Sequence, residues 1–255
     1  MTPEPCPDRH LVALTGIDVL SFLQGLVSND LLPLAKADGL IWTALLTPQG
    51  KYLADFFVGR QDGRYFLDLP ATLAAQTLQR LGLYRLRADV KFSDLELTVG
   101  RGLGAIPAGA FWDPRHEALG WRSYGLATGP QLIDWTAIRV DHVIPETGIE
   151  LIPNESYPLE TGFERLSGVD FRKGCYVGQE VTARMKHKIE LRKGLVKVNV
   201  TGSAAVGTRI LSGGREAGTL YSVAGHRALA YLRFDWAIGA MKAGDAQIDW
   251  DGTRT

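Results

Sequence analysis

The sequence predicts an α+β protein that ends in a small antiparallel β-barrel or sandwich. Between residues 10 and 188, apolar runs of strand character are mixed with segments of helical periodicity. After Lys188, short alternating runs follow one another between glycine-containing turns, which is typical of an all-β unit of about 60 residues. A chain of 255 residues has room for more than one domain. We therefore expect an α+β region at 1–189 and a β-barrel domain at 190–255.

The first part of the chain alternates between predicted strands and helices. Residues 10–14 read as a strand, and Asp18 is placed to cap a helix over 19–27, where apolar residues recur at helical spacing. Two apolar runs, 40–46 and 52–58, flank the sequence TPQGK, whose proline and glycine predict a hairpin turn. The next elements expected are a strand at 64–69, a helix at 71–83 that begins after Pro70, and a strand at 90–99.

The middle of the chain has fewer regular patterns. Residues 100–130 are rich in Gly and Pro, which predicts loops with one or two short strands. A helix is expected over 131–140. Residues 144–158 contain three prolines and predict a long ordered loop, and such loops are usually functional.

The segment 171–188, FRKGCYVGQEVTARMKHK, has the most unusual composition in the chain. It predicts a loop that leads into an amphipathic helix starting near Gly178. The apolar residues expected on one helix face are Val181, Met185 and Ile189. Gly174 and Gly178 bracket the cysteine of this segment and would let a ligand approach the backbone closely.

Cys175 is one of only two cysteines in the protein. The cations of Arg172 and Lys173, together with a helix N-terminus behind the thiol, would favour the thiolate form. Residues two apart in an extended segment point the same way, so we expect the Lys173 ammonium and the Cys175 sulfur to share one cavity. Both are therefore candidate catalytic residues. The alternative, that Cys175 is only a small buried hydrophobic residue, stays open.

Composition excludes several classes of function. The formal net charge is zero and no apolar run reaches the length of a membrane span, so we expect neither nucleic-acid nor membrane binding. The five histidines are scattered without metal-ligand spacing, and no nucleotide-binding or serine-hydrolase motif is present. Two cysteines 169 positions apart indicate a reducing compartment. Cys6 lies among prolines near the N-terminus, where we expect disorder and no function.

Several stretches together resemble the YgfZ family. They are FLQGLVSNDL, LLTPQGKYLADFFV, YRLRADV, IPNESYPLE and, above all, KGCYVGQE. The resemblance runs over nearly the whole chain and departs from the family pattern at 152–155, Ile-Pro-Asn-Glu. Family members include mitochondrial iron–sulfur assembly factors, and the wider superfamily includes the aminomethyltransferase T-protein. The resemblance implies an aminomethyltransferase-like fold of three domains around a central folate hole. Two of them would be intertwined subdomains of the region 1–189, and the last is a β-barrel.

The same resemblance implies a function and a set of site residues. We expect a tetrahydrofolate-binding accessory protein that assembles or repairs [4Fe–4S] clusters in client enzymes such as radical-type tRNA methylthiolases, with Cys175 and Lys173 at the reactive centre. The residues expected to bind the folate are Asp30, Arg85, Arg87, Tyr176, Gln179, Glu180 and Arg184. Asp30 would meet the pterin, and Lys173, Arg85 or Arg87 would supply a cation for its glutamate tail. Arg85 and Arg87 stand at alternate positions, and the alternative that they are only solvated strand charges stays open.

Partners and alternatives follow from these expectations. One thiolate cannot hold a [4Fe–4S] cluster, so any cluster would be transient or shared with an iron–sulfur carrier or client protein. We expect a monomer, either cytoplasmic in a bacterium or in the mitochondrial matrix of a eukaryote. Two alternatives remain, a folate-dependent aminomethyltransferase of the T-protein type and a folate-binding scaffold without chemistry.

Overall fold

A computed structural model of the protein describes residues 2–188 and 190–254. Contacts within the chain divide it into two compact units. The first is Met1–Ile133 with Leu166–Gln179, and the second is Asp134–Arg165 with Glu180–Thr255. The second unit contains the predicted barrel, but it also includes residues from before the barrel, so these units differ from the predicted regions 1–189 and 190–255.

The first unit is built on two antiparallel sheets. Its strands are β1 (Glu4–Pro5), β2 (Arg9–Thr15), β3 (Gly39–Leu46), β4 (Tyr52–Gln61), β5 (Arg64–Pro70), β6 (Lys91–Asp94), β7 (Val99–Gly102), β8 (Phe111–Trp112) and β9 (Trp121–Tyr124). Its helices are α1 (Val19–Gln24) and α2 (Ala71–Arg85), with short 3-10 helices at Leu32–Ala35 and Glu117–Leu119. The strand order is β3-β4-β5-β2-β6 in one sheet and β1-β7-β9-β8 in the other. The predicted hairpin is confirmed as the antiparallel pair β3–β4.

A buried charged cluster ties strands of the two sheets together. Asp68 on β5 accepts hydrogen bonds from Arg9 Nε at 2.6 Å, Arg122 Nη2 at 2.8 Å and the Tyr124 hydroxyl at 2.9 Å. Burial alone would raise the pKa of the Asp68 carboxyl, but the two guanidinium groups hold it below its usual range. The cluster therefore holds β2 and β9 against β5.

Two local predictions for the first unit are wrong. The helix predicted over 19–27 ends at Gln24, and the side chain of Asp18 does not cap it. Instead, Asp18 Oδ2 accepts a hydrogen bond from the backbone N–H of Asp89 at 2.8 Å, a contact between distant parts of the chain. The single strand predicted over 90–99 is divided between β6 and β7.

The second unit is a barrel with helices beside it. Its helices are α3 (Trp135–Asp141), a 3-10 helix at Pro158–Thr161, and α4 (Gln179–Lys188), whose first residue belongs to the first unit. Its strands are β10 (Lys193–Thr201), β11 (Arg209–Ser212), β12 (Arg215–Ala224), β13 (Arg227–Arg233), β14 (Met241–Ala243) and β15 (Ala246–Asp249). They close in the order β10-β13-β12-β11-β14-β15, which confirms a barrel rather than a sandwich. The most deeply buried side chains inside it include Val196, Ile210, Leu220, Leu232, Met241 and Ile248.

Helix α3 begins later than the predicted 131–140. Asp134 caps it by accepting a hydrogen bond from the N–H of Ala137 at 2.9 Å. The N–H groups of Leu132 and Ile133 instead donate to Glu4 Oε1, which holds them outside the helix. No helix in the described ranges is long and apolar enough to cross a membrane.

Candidate functional site

The ammonium group of Lys173 is buried against the C-terminal end of α1. Its Nζ donates hydrogen bonds to three backbone carbonyls, those of Gln24 at 2.8 Å, Val27 at 2.5 Å and Asn29 at 2.8 Å. The last carbonyls of a helix lack partners within the helix, and a cation placed there is stabilised by the helix dipole. Lys173, which is only 8% exposed, therefore anchors the segment that carries Cys175 to the residues just before Asp30.

Further hydrogen bonds hold the chain leading up to Lys173. Ser28 Oγ donates to the carbonyl of Gly168 at 2.7 Å, and Asn29 Nδ2 donates to the carbonyl of Ser167 at 2.7 Å. Asp170 then forms a turn, because its Oδ1 accepts from the N–H of Lys173 at 3.2 Å. The segment from 167 to 173 is thus held along the Ser28–Asn29 backbone.

The Asp30 carboxylate is oriented by its own loop. Its Oδ1 accepts hydrogen bonds from Gln24 Nε2 at 2.7 Å and from the N–H of Leu32 at 3.1 Å. Gln24 Oε1 in turn accepts from the N–H of Leu31 at 2.8 Å. Within the described residues, Asp30 Oδ2 has no hydrogen-bond partner. A half-buried carboxylate fixed through one oxygen leaves the other available to a ligand with N–H donors.

The two residues predicted to share a cavity differ in burial. Lys173 Nζ is buried on the backbone carbonyls of Gln24, Val27 and Asn29, whereas the Cys175 thiol is exposed. The expectation that the two groups share one cavity therefore stays a prediction. The alternative of a buried, merely packed Cys175 does not describe this exposed thiol. In the parts of the chain that the structure describes, no group of three or more His, Cys, Asp or Glu is suited to hold a metal ion.

Cys6 differs from Cys175 in its surroundings. Its side chain is 6% exposed and its N–H donates to the carbonyl of Val99 at 2.9 Å, so the expected disorder is wrong. The neighbouring strand pair β1–β7 orders this N-terminal segment despite its prolines. Burial raises the pKa of the Cys6 thiol, against the opposing fields of Arg122 and Arg101. The buried Cys6 thiol is thus less available for reaction than the exposed Cys175 thiol.

Arg85 and Arg87 do not lie on a strand. Arg85 is the last residue of α2, and Leu86 follows with φ of +43° and turns the chain. Arg85 Nη1 donates to the carbonyl of Val90 at 3.3 Å. None of the described contacts joins either arginine to Asp30, so their role towards a folate tail stays a prediction.

The remaining predicted residues lie on or next to α4. Tyr176 is buried, and its ring centroid lies 5.1 Å from Lys173 Nζ in a cation–π contact. Gln179 begins α4, and its N–H donates to the carbonyl of Tyr176 at 3.2 Å. The loop-to-helix prediction is confirmed, although α4 begins four residues after Cys175. Glu180 and Arg184 follow at exposed positions. Ile189, expected on the apolar face, lies outside the described residues, and the folate-binding roles of this group stay predictions.

Sequence reasoning missed three residues of this arrangement, namely Gln24, Asn29 and Asp170. Asn29 was visible in the polar run Ser-Asn-Asp that follows the apolar helix. Gln24 and Asp170 have no comparable signal, because their partners are distant in sequence or are backbone atoms.

Gly178 is required by the packing of the backbone around it. Its φ is +85°, and a Cβ there would lie 2.6 Å from the carbonyl oxygen of Thr47. We expect Gly178→Ala to lower the free energy of unfolding by about 2 kcal/mol or more, because both the backbone angle and the contact resist a side chain. Gly174→Ala is the matched control, since a Cβ at Gly174 meets nothing within 4 Å. Equal stability of the two variants in urea denaturation would contradict this account.

The titration of Lys173 gives a pH dependence with a definite sign. Burial lowers the pKa of this ammonium from 10.5 to about 8, although Asp30 and Asp170 oppose the shift. Between these two values the unfolded chain keeps a proton that the folded protein has lost, so raising the pH favours folding. The stability of the wild type relative to Lys173→Met should rise across this window by at most about 1.4 kcal/mol per pH unit. Urea denaturation of both proteins across the window measures it, and a constant or falling difference would disprove it.

Comparisons with known proteins agree with this architecture. A family model described as the CAF17 C-terminal beta-barrel domain matches residues 192–252. The crystal structure of the glycine cleavage system aminomethyltransferase T from Bartonella henselae superposes with a TM-score of 0.73 over 94% of this chain and 82% of that one, at 14% sequence identity. The predicted aminomethyltransferase-like fold with a C-terminal β-barrel is thereby confirmed.

Three relatives by sequence are named as IBA57 proteins or homologs. The human "Iron-sulfur cluster assembly factor IBA57, mitochondrial" is 30% identical, and the match covers 88% of this chain and 75% of the human protein. The mouse protein of the same name is 28% identical, with 94% and 80% covered. The homolog from Mycosarcoma maydis is 30% identical over 76% of this chain, which spans only 56% of that fungal protein.

The names of these relatives also bear on location. All three are mitochondrial, which agrees with the second predicted location, the mitochondrial matrix of a eukaryote, and is at odds with the cytoplasm. The specific YgfZ name does not occur among them. From the identity and coverage shared with the human protein, the chain belongs to the family of IBA57 iron–sulfur cluster assembly factors.

Proposed function

We propose that this protein binds a reduced folate and acts as an accessory factor in the assembly or repair of [4Fe–4S] clusters, with Cys175 as its functional thiol. The observation that carries the proposal is the set of three hydrogen bonds from Lys173 Nζ to the backbone carbonyls of Gln24, Val27 and Asn29. They hold the loop of an exposed thiol against the segment that ends in Asp30. A reactive group and a ligand-binding carboxylate on one fixed framework suit ligand-linked thiol chemistry.

Family membership supports the iron–sulfur part of the proposal. The relatives are named as iron–sulfur cluster assembly factors, and we extend that role to this chain. The motif KGCYVGQE also resembles the YgfZ family. That resemblance supports client enzymes such as tRNA methylthiolases. A cluster would be cargo, because one thiolate supplies only one of about four ligands. An iron–sulfur carrier or client protein would supply the others.

The chemistry of Asp30 supports the folate part. A pterin presents adjacent N–H donors, and Asp30 Oδ2 has no partner among the residues described. The half-buried position strengthens hydrogen bonds to such donors relative to water. A one-carbon derivative of tetrahydrofolate would supply a one-carbon unit, and tetrahydrofolate itself would supply an oxidisable ring, while the protein binds and orients it.

A second candidate function is aminomethyl transfer of the T-protein type. The fold likeness to the Bartonella henselae aminomethyltransferase favours it. The two functions differ in their need for a thiol. T-proteins lack the cysteine motif, and their carrier protein supplies the aminomethyl group. A requirement for Cys175 therefore separates the two, and a scaffold without chemistry would also lack that requirement.

Titration calorimetry with tetrahydrofolate tests the folate claim. We expect a dissociation constant in the micromolar range, equivalent to about 8 kcal/mol. Asp30→Ala should weaken binding about tenfold or more, because it removes the carboxylate that meets the pterin. Absence of heat at millimolar ligand would remove the folate claim, and an unchanged affinity of Asp30→Ala would show that the pterin lies elsewhere.

A further inference from the structure

Gln24 touches both halves of the candidate site. Its side-chain Nε2 donates to Asp30 Oδ1 at 2.7 Å, and its Oε1 accepts from the N–H of Leu31 at 2.8 Å. Its backbone carbonyl accepts from Lys173 Nζ at 2.8 Å. One residue is thus bonded to the predicted pterin-binding carboxylate and to the anchor of the Cys175 loop.

The two sides of Gln24 are mechanically linked. Gln24 is the last residue of α1, where its carbonyl has no partner within the helix. The Gln24 side-chain amide donates to Asp30 and accepts from the N–H of the next residue, Leu31. A shift of Asp30 would therefore move the end of α1. The Gln24 carbonyl at that end of α1 accepts a hydrogen bond from Lys173 Nζ. Movement there would therefore shift Lys173, which lies two residues before Cys175. Contiguous hydrogen bonds of this kind can carry energetic coupling between two positions.

We propose that Gln24 is a positioning residue that couples the orientation of the Asp30 carboxylate to the position of the Cys175 thiol. The inference rests on the proposed function, in which Asp30 receives the folate, and it adds that occupancy at Asp30 is sensed at the thiol. Coupling of two binding events is reciprocal, so a change at the Cys175 loop also changes affinity at Asp30.

The variant Gln24→Glu tests the coupling with little change of shape. A glutamate keeps the acceptor for the N–H of Leu31 but places a second carboxylate beside Asp30. We expect tetrahydrofolate to bind about tenfold more weakly. In the wild type, saturating tetrahydrofolate should change the rate of Cys175 alkylation by iodoacetamide at least about threefold. In Gln24→Glu, the ratio of the Cys175 alkylation rates with and without saturating tetrahydrofolate should fall to near one. A merely structural role would alter melting but not this ratio.

The control is Gln76→Glu, at an exposed position of α2, which should behave as the wild type in both measurements. If Gln24→Glu binds tetrahydrofolate normally and keeps the wild-type ratio, the coupling role is overturned while the proposed function stands.

A second experiment needs no folate, and it tests the role of Gln24 even if the wild type does not bind tetrahydrofolate. Asp30→Asn should change the alkylation rate of Cys175 about threefold in the wild-type background and leave it unchanged in a Gln24→Met background. Melting curves of all variants confirm that they are folded. An equal effect of Asp30→Asn in both backgrounds, or no effect in either, would overturn the role of Gln24.

Discussion

Cells that lack this protein and express the Cys175→Ser variant are expected to show no recovery of [4Fe–4S] enzyme activity. The thiolate is the form of cysteine that acts as nucleophile or metal ligand, and a serine hydroxyl stays protonated near neutral pH. The Cys175 side chain is exposed, so the substitution should leave folding and folate binding intact. The activity of client enzymes should therefore fall to the level of the empty cells, the largest effect expected for any single substitution.

The matched control is Cys6→Ala. Alanine suits that position because the Cys6 thiol is buried and the substitution adds no polar group. This variant should restore client activity, and the Cys175 thiol of the wild type should react with iodoacetamide much faster than the Cys6 thiol. Full complementation by Cys175→Ser would contradict the hypothesis that the thiol is functional. A folate-binding scaffold or an aminomethyltransferase would then be the better hypothesis.

Lys173→Met is expected to cause the largest loss of stability, about 2–4 kcal/mol. It removes the donor from three backbone carbonyls, and each buried acceptor left without a partner costs about 1–3 kcal/mol, part of which is offset because no ammonium is buried. Hydrogen exchange in the loop around Cys175 should become faster, because that anchor to α1 is lost. Urea denaturation and exchange mass spectrometry measure the two effects.

Lys36→Met serves as the control, since Lys36 is exposed. It should match the wild type in stability and in the exchange of the Cys175 loop. Equal behaviour of Lys173→Met and Lys36→Met would show that the three hydrogen bonds do not hold this loop.

The parts of the fold that the sequence predicts well are those with a local cause. The alternating runs after Lys188 and their glycine turns specify the barrel strands, and the β3–β4 hairpin follows from its turn residues. The start of α3 was misplaced because Glu4, far away in sequence, binds the N–H groups before Asp134. Such partners are invisible in a local pattern.

The site shows the same division. The motif around Cys175 was identified from its unusual composition and from resemblance, and its loop-to-helix form followed from periodicity. The inward turn of Lys173 was not predictable, because its three acceptors lie 144 to 149 residues earlier and are backbone atoms. Arg85 read as a strand residue in YRLR, yet the helical run from Ala71 continues through it. Gln24 had no signal, since a glutamine at a helix end is common.

A crystal structure of the protein soaked with tetrahydrofolate is the sharpest test of the proposal that a folate and the loop of Cys175 share one framework. We expect the pterin N–H groups to bind Asp30 Oδ2 and the Lys173 ammonium to stay on the carbonyls of Gln24, Val27 and Asn29, so that the ligand and the loop of Cys175 share one framework. A folate bound away from Asp30, or a Lys173 ammonium released from α1 to contact the ligand, would contradict it.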